Sequence, residues 1–399
     1  MKPENERFER LMRLPPVLRG GFRPFFLGGA AWAVIALALW LATLFGIMTL
    51  PSAFDPLAWH RHEMLFGYLG AVIAGFLLTA VPNWTGRLPI AGGRLAALAG
   101  LWLAARLGML FSAEVGGLTA CALDVGFLAV LTFMIGREIL AAKNRNVPIL
   151  VAMSLFTLAD ALDQIEALGG VVLGGLGWRM GFAIVLLLIA LIGGRIIPSF
   201  TRNWLSKQGV KAGLPTQPGR FDYFTIGITA LALVGWAFAS QSPLSGGLLV
   251  IAGTLQFVRL ARWSGLKAFR EPLVLILHVS FLWLPLGLML TGSSLFLPYI
   301  PFSASLHLLS AGAMASMTLA VMTRATLGHT GHALRANRST QAIFVLMTLG
   351  ALARFAAPMM PFDYMLGLLV AGVLWAGAFL LFVIAYASKL IGPRPDGKP

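Results

Sequence analysis

The stretch WHRHEMLFGYLGAVIAGFLLTAVPNWTG, residues 59–86, decides how the rest of the chain is read. Past His60, His62 and Glu63 it stays apolar for the length an α-helix needs to cross ~30 Å of hydrocarbon at ~1.5 Å per residue. Ionisable groups inside such a helix are expensive, so each implies a partner, a metal or a water-filled cavity. Apolar runs of this length recur from end to end. Of 399 residues, 58% are hydrophobic and 11% charged, where a soluble domain carries roughly 25% charged residues. The chain reads as an all-α polytopic membrane protein.

Twelve transmembrane helices are predicted near 25–49, 56–81, 94–112, 116–141, 147–168, 177–200, 221–240, 244–264, 272–291, 303–327, 340–357 and 363–388. A cytoplasmic segment over 1–24 precedes this single transmembrane domain (25–388), and a cytoplasmic tail over 389–399 follows it. No cleavable signal peptide is expected, because the chain opens with a polar stretch. With both termini in the cytoplasm, only Arg61, Arg106, Arg179 and Arg354 of the 30 Lys and Arg fall in the outer half. That asymmetry is the positive-inside rule. The net charge of +15 therefore reports topology, and no nucleic-acid partner is expected. Cys121, the single cysteine, excludes an intramolecular disulfide and a thiolate cluster. The longest loop, around SKQGVKAGLPTQPGR (206–220), is short, so the protein works inside the bilayer or passes something through it.

An internal repeat is visible when His62 is laid on His307. HEMLFGYLGAVIAGFLLTAVPNWTG then covers HLLSAGAMASMTLAVMTRATLGHTG without gaps, matching Gly67 with Gly312, Ala80 with Ala325 and Thr85-Gly86 with Thr330-Gly331. Half that shift reaches the sixth span, where Asn203-Trp204 echoes Asn83-Trp84. The expected plan is three four-helix pseudo-repeats with spans two, six and ten equivalent.

Asp55-Pro56 reads as an N-cap followed by proline at the first helical position, and Ser303 as the cap of the tenth span. Counted from those caps, His60, His62 and His307 lie roughly 6–11 Å inside the membrane at similar depth. Imidazoles from two helices at one level can ligate a haem axially or help hold copper. His60 and His62 are two residues apart, which turns them to different sides of a regular helix. The alternative is interfacial histidines bonded to loop carbonyls. His278 and His329 lie in the inner half as a second ligand pair or a proton relay, or as a buried histidine and a basic loop. His332 adjoins them.

The outlying arginines need anions. Asp124, the span-five carboxylates Asp160, Asp163 and Glu166, and haem propionates are the candidates. In LADALDQIEAL (158–168) those three acids recur every third residue along one helix face, as a water-lined proton path or as arginine partners. Glu63, beside His62, is the better proton donor. Most tryptophans are expected in an interfacial belt. Gly75, Gly28-Gly29 and Gly193-Gly194 are expected to permit close helix packing.

Taken together, GFRPFFLGGAAWAV (21–34), the 59–86 stretch, RNW (202–204), LHVSFLWLPLGLML (277–290) and the 307–331 stretch resemble the NnrS family of bacterial inner-membrane proteins. The resemblance runs from about residue 20 to 385 and implies a role in denitrification and nitric oxide stress, with haem and copper. It implies that His60, His62, His278, His307 and His329 are the metal-binding candidates; His332 stands where an arginine is expected. The plan also resembles, more distantly, the catalytic subunit of haem-copper oxidases and nitric oxide reductases. It departs from that subunit in lacking a span-six histidine and a second nearby histidine in span ten.

The expected function is a haem b and copper membrane protein that binds nitric oxide and reduces it to nitrous oxide, with a quinol or cytochrome as electron donor. His62 and His307 would be the axial ligands, His60 the ligand of a second metal and Glu63 the proton donor. Arg61, Arg106 and Arg354 would anchor propionates. The rivals are a proton-coupled transporter without a redox centre and a metal or haem delivery factor for respiratory enzymes.

Overall fold

Residues 9, 11–361 and 363–398 are described by the computed structural model. The beginning of the predicted cytoplasmic segment, with Lys2, Arg7 and Arg10, lies outside the described residues.

Among the described residues, twelve helices are long and apolar enough to cross a membrane: α1 Phe22–Leu44, α2 Pro56–Thr85, α3 Gly93–Leu110, α4 Gly117–Ala141, α5 Val147–Ala167, α6 Leu176–Lys207, α7 Arg220–Phe238, α8 Pro243–Ala261, α9 Pro272–Ser293, α10 Phe302–His329, α11 Arg338–Met359 and α12 Tyr364–Ile391. No β-strand occurs among the described residues. The chain is a multi-pass, all-α membrane protein whose lipid-facing backbone is satisfied within each helix, as a bilayer demands.

Local chemistry sets the helix ends. Asp55 caps α2, accepting from the Ala58 N–H at 2.9 Å, with Pro56 at the first position as expected. Gly86, at φ 69, ends α2 in the left-handed conformation. The predicted cap at Ser303 is displaced. Helix α10 starts at Phe302 behind Pro301, so Ser303 sits inside the first turn. Helix α6 runs past the expected end near residue 200 to Lys207, because its polar last turns remain helical.

The start of α1 also differs from expectation. Arg23 is buried within it, and its Nη1 donates to the carbonyls of Lys389, Leu390 and Gly392 at 3.3, 2.9 and 2.9 Å. A cation on the free carbonyls that end α12 answers the negative pole of that helix.

Two compact units divide the chain. One comprises 1–181, 322–334 and 379–399, and the other 182–321 and 335–378. Within the first, α1 packs on α2, α3 on α4, and α4 on both α2 and α5. Within the second, α8 packs on α7 and α9, and α10 lies against α9 and α11. The glycines expected to permit close packing do so. A Cβ on Gly29 would meet Ala71, one on Gly75 would meet Phe26, and one on Gly194 would meet the Arg259 guanidinium.

The backbone widens into π-helical turns at Glu63–Tyr68 in α2, Ile189–Gly193 in α6 and Leu308–Met314 in α10. These are the three spans that the repeat makes equivalent. Moreover, the first and third begin one residue after His62 and His307, the pair that sets the register. A π turn leaves a carbonyl outside the regular ladder, and such turns concentrate at functional sites. The indole of Trp102 donates to the Gly67 carbonyl at 3.0 Å and Arg259 donates to the Ala190 carbonyl at 2.7 Å.

Candidate functional site

The π turn of α2 aims His62 and Glu63 into a charge network in the first unit. Glu63 and Arg106 have no exposed surface, and Asp124, Asp160 and Asp163 are buried with them. Arg106, from α3, donates through Nη1 to Glu63 Oε2 at 2.6 Å and pairs through Nη2 with Asp124 of α4. Trp32, from α1, donates to the same Glu63 oxygen at 2.6 Å. Glu63 Oε1 has no hydrogen-bond partner among the described residues. Gly67 makes room for this arrangement, since a Cβ there would run into the Arg106 guanidinium and the Glu63 carboxylate.

Carboxylates also bracket His62. Its Nε2 lies 2.5 Å from Asp124 Oδ2 and its Nδ1 3.2 Å from Asp163 Oδ2, with Phe66 tilted against the ring at 5.1 Å. Gln164 donates to Asp124 Oδ2 at 2.9 Å and accepts from the Cys121 thiol at 3.0 Å. Arg61 reaches Asp163 Oδ1 at 3.1 Å and lies over the Trp178 ring. Asp160 behaves differently. It has no exposed surface, and neither carboxylate oxygen has a hydrogen-bond partner. One ligand atom from each of His62, Asp124 and Asp160 lies within 4.8 Å of the others.

The structure thus gives two of the outlying arginines their anions from the protein. Arg106 takes Glu63 and Asp124, and Arg61 takes Asp163. Of the face formed by Asp160, Asp163 and Glu166, the first two turn into the network, while Glu166 accepts from the Gly175 N–H at 2.8 Å. His60, adjacent in sequence, is stacked on Trp40 of α1 with ring centroids 4.8 Å apart. Its separation from His62 follows the helix geometry.

The remaining sequence-predicted residues sit elsewhere. In the second unit, His307 Nδ1 lies 2.7 Å from the Ser303 carbonyl, and Arg354 Nη2 donates to Ser303 Oγ at 3.2 Å. Arg354 Nη1 is buried without a hydrogen-bond partner. His278, also in that unit, meets Thr201 Oγ1 through Nε2 at 2.9 Å. In the first unit, His329 lies against Phe22 with centroids 5.4 Å apart, and its carbonyl accepts from Arg394 at 3.0 Å. His332 Nδ1 meets Thr330 Oγ1 at 2.8 Å.

Trp32, Gln164 and Gly67 are the network members that sequence reasoning missed as site residues. Trp32 and Trp102 carry a readable signal, because each lies mid-helix rather than in the expected interfacial belt and its indole N–H requires an acceptor there. Gln164, an amide in an apolar span beside Asp163, carries a weaker one.

A family model described as NnrS protein matches residues 16–394, nearly the whole chain. No curated protein matches it.

Proposed function

The chain belongs to the NnrS family, and from that membership and the buried network around Glu63 we propose that it is a nitric oxide-response protein that binds nitric oxide and reduces it to nitrous oxide within the outer half of the bilayer. The inner membrane of a bacterium, with both termini in the cytoplasm, is the proposed location. Nitric oxide is neutral and apolar enough to reach a buried centre through lipid. Its reduction takes two molecules, two electrons and two protons to one nitrous oxide and one water. A quinol or a cytochrome would supply the electrons.

The observation that carries this reading is the Glu63 carboxylate. Arg106 and Trp32 fix one oxygen, and the other is buried without a partner. Such a group can hold a proton at Oε1 and deliver it where bulk water does not reach. Arg106 orients that carboxylate and compensates charge left when the proton moves.

The two predicted haem ligands differ in fit. A haem iron would take at most two side-chain ligands from the protein. His307 suits one of them, since donation from Nδ1 to the Ser303 carbonyl leaves Nε2 as the lone-pair nitrogen, the usual arrangement of a ligating imidazole. Arg354 Nη1, buried and unpartnered, suits a propionate. His62 suits an axial role poorly, because both ring nitrogens already face carboxylates. Arg61 and Arg106 are likewise committed to protein anions. Haem b held by His307 would supply the iron that binds nitric oxide and would relay electrons from the quinol or cytochrome one at a time. Copper has His60 as its proposed ligand, with the ring held flat on Trp40.

Visible spectra of the purified full-length protein in nanodiscs test this. A reducible Soret band that shifts on adding nitric oxide, is lost in His307→Ala, and accompanies nitrous oxide release with a quinol analogue is expected. A folded, colourless protein would overturn it in favour of proton-coupled transport. Haem without turnover would leave binding or cofactor delivery as the activity.

A further inference from the structure

The His62 cluster carries more negative charge than its arginines balance. Four carboxylates, from Glu63, Asp124, Asp160 and Asp163, share it with the two guanidinium groups of Arg61 and Arg106. Arg106 is shared between Glu63 and Asp124, and Arg61 is bound to Asp163. Asp160 is left with no guanidinium of its own, no exposed surface and, among the described residues, no hydrogen bond to either oxygen. An ionised carboxylate so placed is costly unless a charge or a metal answers it.

From this we infer that His62, Asp124 and Asp160 form a binding site for a divalent first-row cation, separate from any haem. With His62 neutral, as a ligating imidazole must be, and Glu63 ionised, the imbalance is two negative charges, which one divalent ion neutralises. The three side chains come from α2, α4 and α5, already bring one ligand atom each within 4.8 Å of the others, and are all buried. Asp160 Oδ1 stands 3.9 Å from His62 Nδ1, close enough for one ion to engage both residues. One imidazole with carboxylates is a donor set for Zn²⁺, Fe²⁺ or Mn²⁺, while copper(I) favours thiolate and thioether sulfur. A haem iron cannot accept three such ligands, since the porphyrin occupies its equatorial positions. The outer contacts fit as well. Gln164 and Arg106 hold the two Asp124 oxygens. Such contacts orient metal ligands.

This inference stands independently of nitric oxide chemistry, and its test involves none. The full-length protein in nanodiscs, stripped with chelator, is titrated with Mn²⁺ while electron paramagnetic resonance reads the free ion, and with Zn²⁺ read by mass spectrometry. About one equivalent of ion per chain is expected. Asp160→Asn and Asp124→Asn should each weaken it about 100-fold or more, while Asp396→Asn, in the tail, should leave it unchanged. If either variant misfolds, wild-type uptake still decides, because bound Zn²⁺ should raise the unfolding temperature progressively as its free concentration passes the dissociation constant. No uptake above empty nanodiscs, or uptake that both variants retain, would overturn the site. So would a protonated-carboxyl infrared band that vanishes in Asp160→Asn and is indifferent to Zn²⁺, since a proton would then balance the charge.

Discussion

Arg106 and Glu63 form an ion pair at 2.6 Å with no exposed surface on either side, and the same guanidinium pairs with Asp124 on the neighbouring helix. One residue thereby ties α2, α3 and α4 together through charge. Removing one member of a buried pair strands the others, at about 3–5 kcal/mol. Arg106→Ala should lower stability by that order, and Arg106→Lys by less, since an ammonium keeps the charge but loses the planar fork. Thermal unfolding in nanodiscs measures both. An alanine variant as stable as wild type would show that the network is solvated.

Gly67 offers a steric test of the same arrangement. A methyl group there must displace the Arg106 guanidinium or the Glu63 carboxylate, and overpacking of this kind costs about 1–3 kcal/mol. Gly126, on α4, has open space around it, so Gly126→Ala should be neutral or gain up to about 1 kcal/mol from helix propensity. Equal responses of the two variants would argue that the clash at Gly67 is relieved elsewhere.

Much of this was legible in the sequence, and what was not has a physical cause. Hydrophobic length located all twelve crossings, because the bilayer imposes one thickness on every helix. The demand that a membrane arginine find an anion put Asp124 and the span-five carboxylates among the candidate partners of the outer arginines, Arg106 included. It did not show that Glu63 and Asp124 share Arg106 or that Arg61 takes Asp163, since which acid meets which base is settled by tertiary packing. Arg23 looked like a residue of the polar lead-in because its acceptors are carbonyls more than 360 residues away. The π turns carry no residue code of their own, yet the alignment of His62 with His307 set their register in α2 and α10.

Arg23 is also a handle on the end of α12. With its three carbonyl contacts removed in Arg23→Ala, the last turn of that helix should fray. Hydrogen exchange over residues 386–392 should accelerate at least about tenfold, equivalent to ~1.4 kcal/mol of local opening, while exchange in the middle of α5 stays unchanged. Unaltered exchange at the α12 terminus would mean that lipid contact alone holds it.

The tail supplies a pH-dependent contact outside the membrane. Asp396 receives hydrogen bonds from Arg394 at 2.9 and 2.6 Å, and Arg394 in turn donates to the His329 carbonyl that ends α10. The hydrogen bond from Arg394 draws the Asp396 carboxyl down to about 2. A depressed carboxylate stabilises the fold above its ordinary titration range and loses that contribution as pH falls through about 2. The protection factor near His329, with the intrinsic pH dependence of amide exchange divided out, should therefore stay flat between about pH 5 and 8 and fall only in strong acid. Asp396→Asn should show the lowered protection already at neutral pH, which a tail resting loosely on the surface would not.

Arg259 and Asp222 allow the cost of a buried pair to be apportioned in the second unit. Arg259 Nε donates to Asp222 Oδ1 at 2.8 Å while Nη1 donates to the Ala190 carbonyl in the π turn of α6. Both side chains are buried. Arg259→Met removes its bonds to Asp222, the Ala190 carbonyl and Gln256 and leaves the Asp222 carboxylate to Arg262 and the Gly219 N–H, for an expected loss of about 3–5 kcal/mol. The double variant Arg259→Met with Asp222→Leu removes that charge as well and should recover part of the loss, leaving the Ala190 carbonyl unmet at about 1–3 kcal/mol. A double-mutant cycle in nanodiscs reads the difference. Strict additivity would mean that the two side chains are uncoupled, and that the π turn rather than the ion pair is what Arg259 serves.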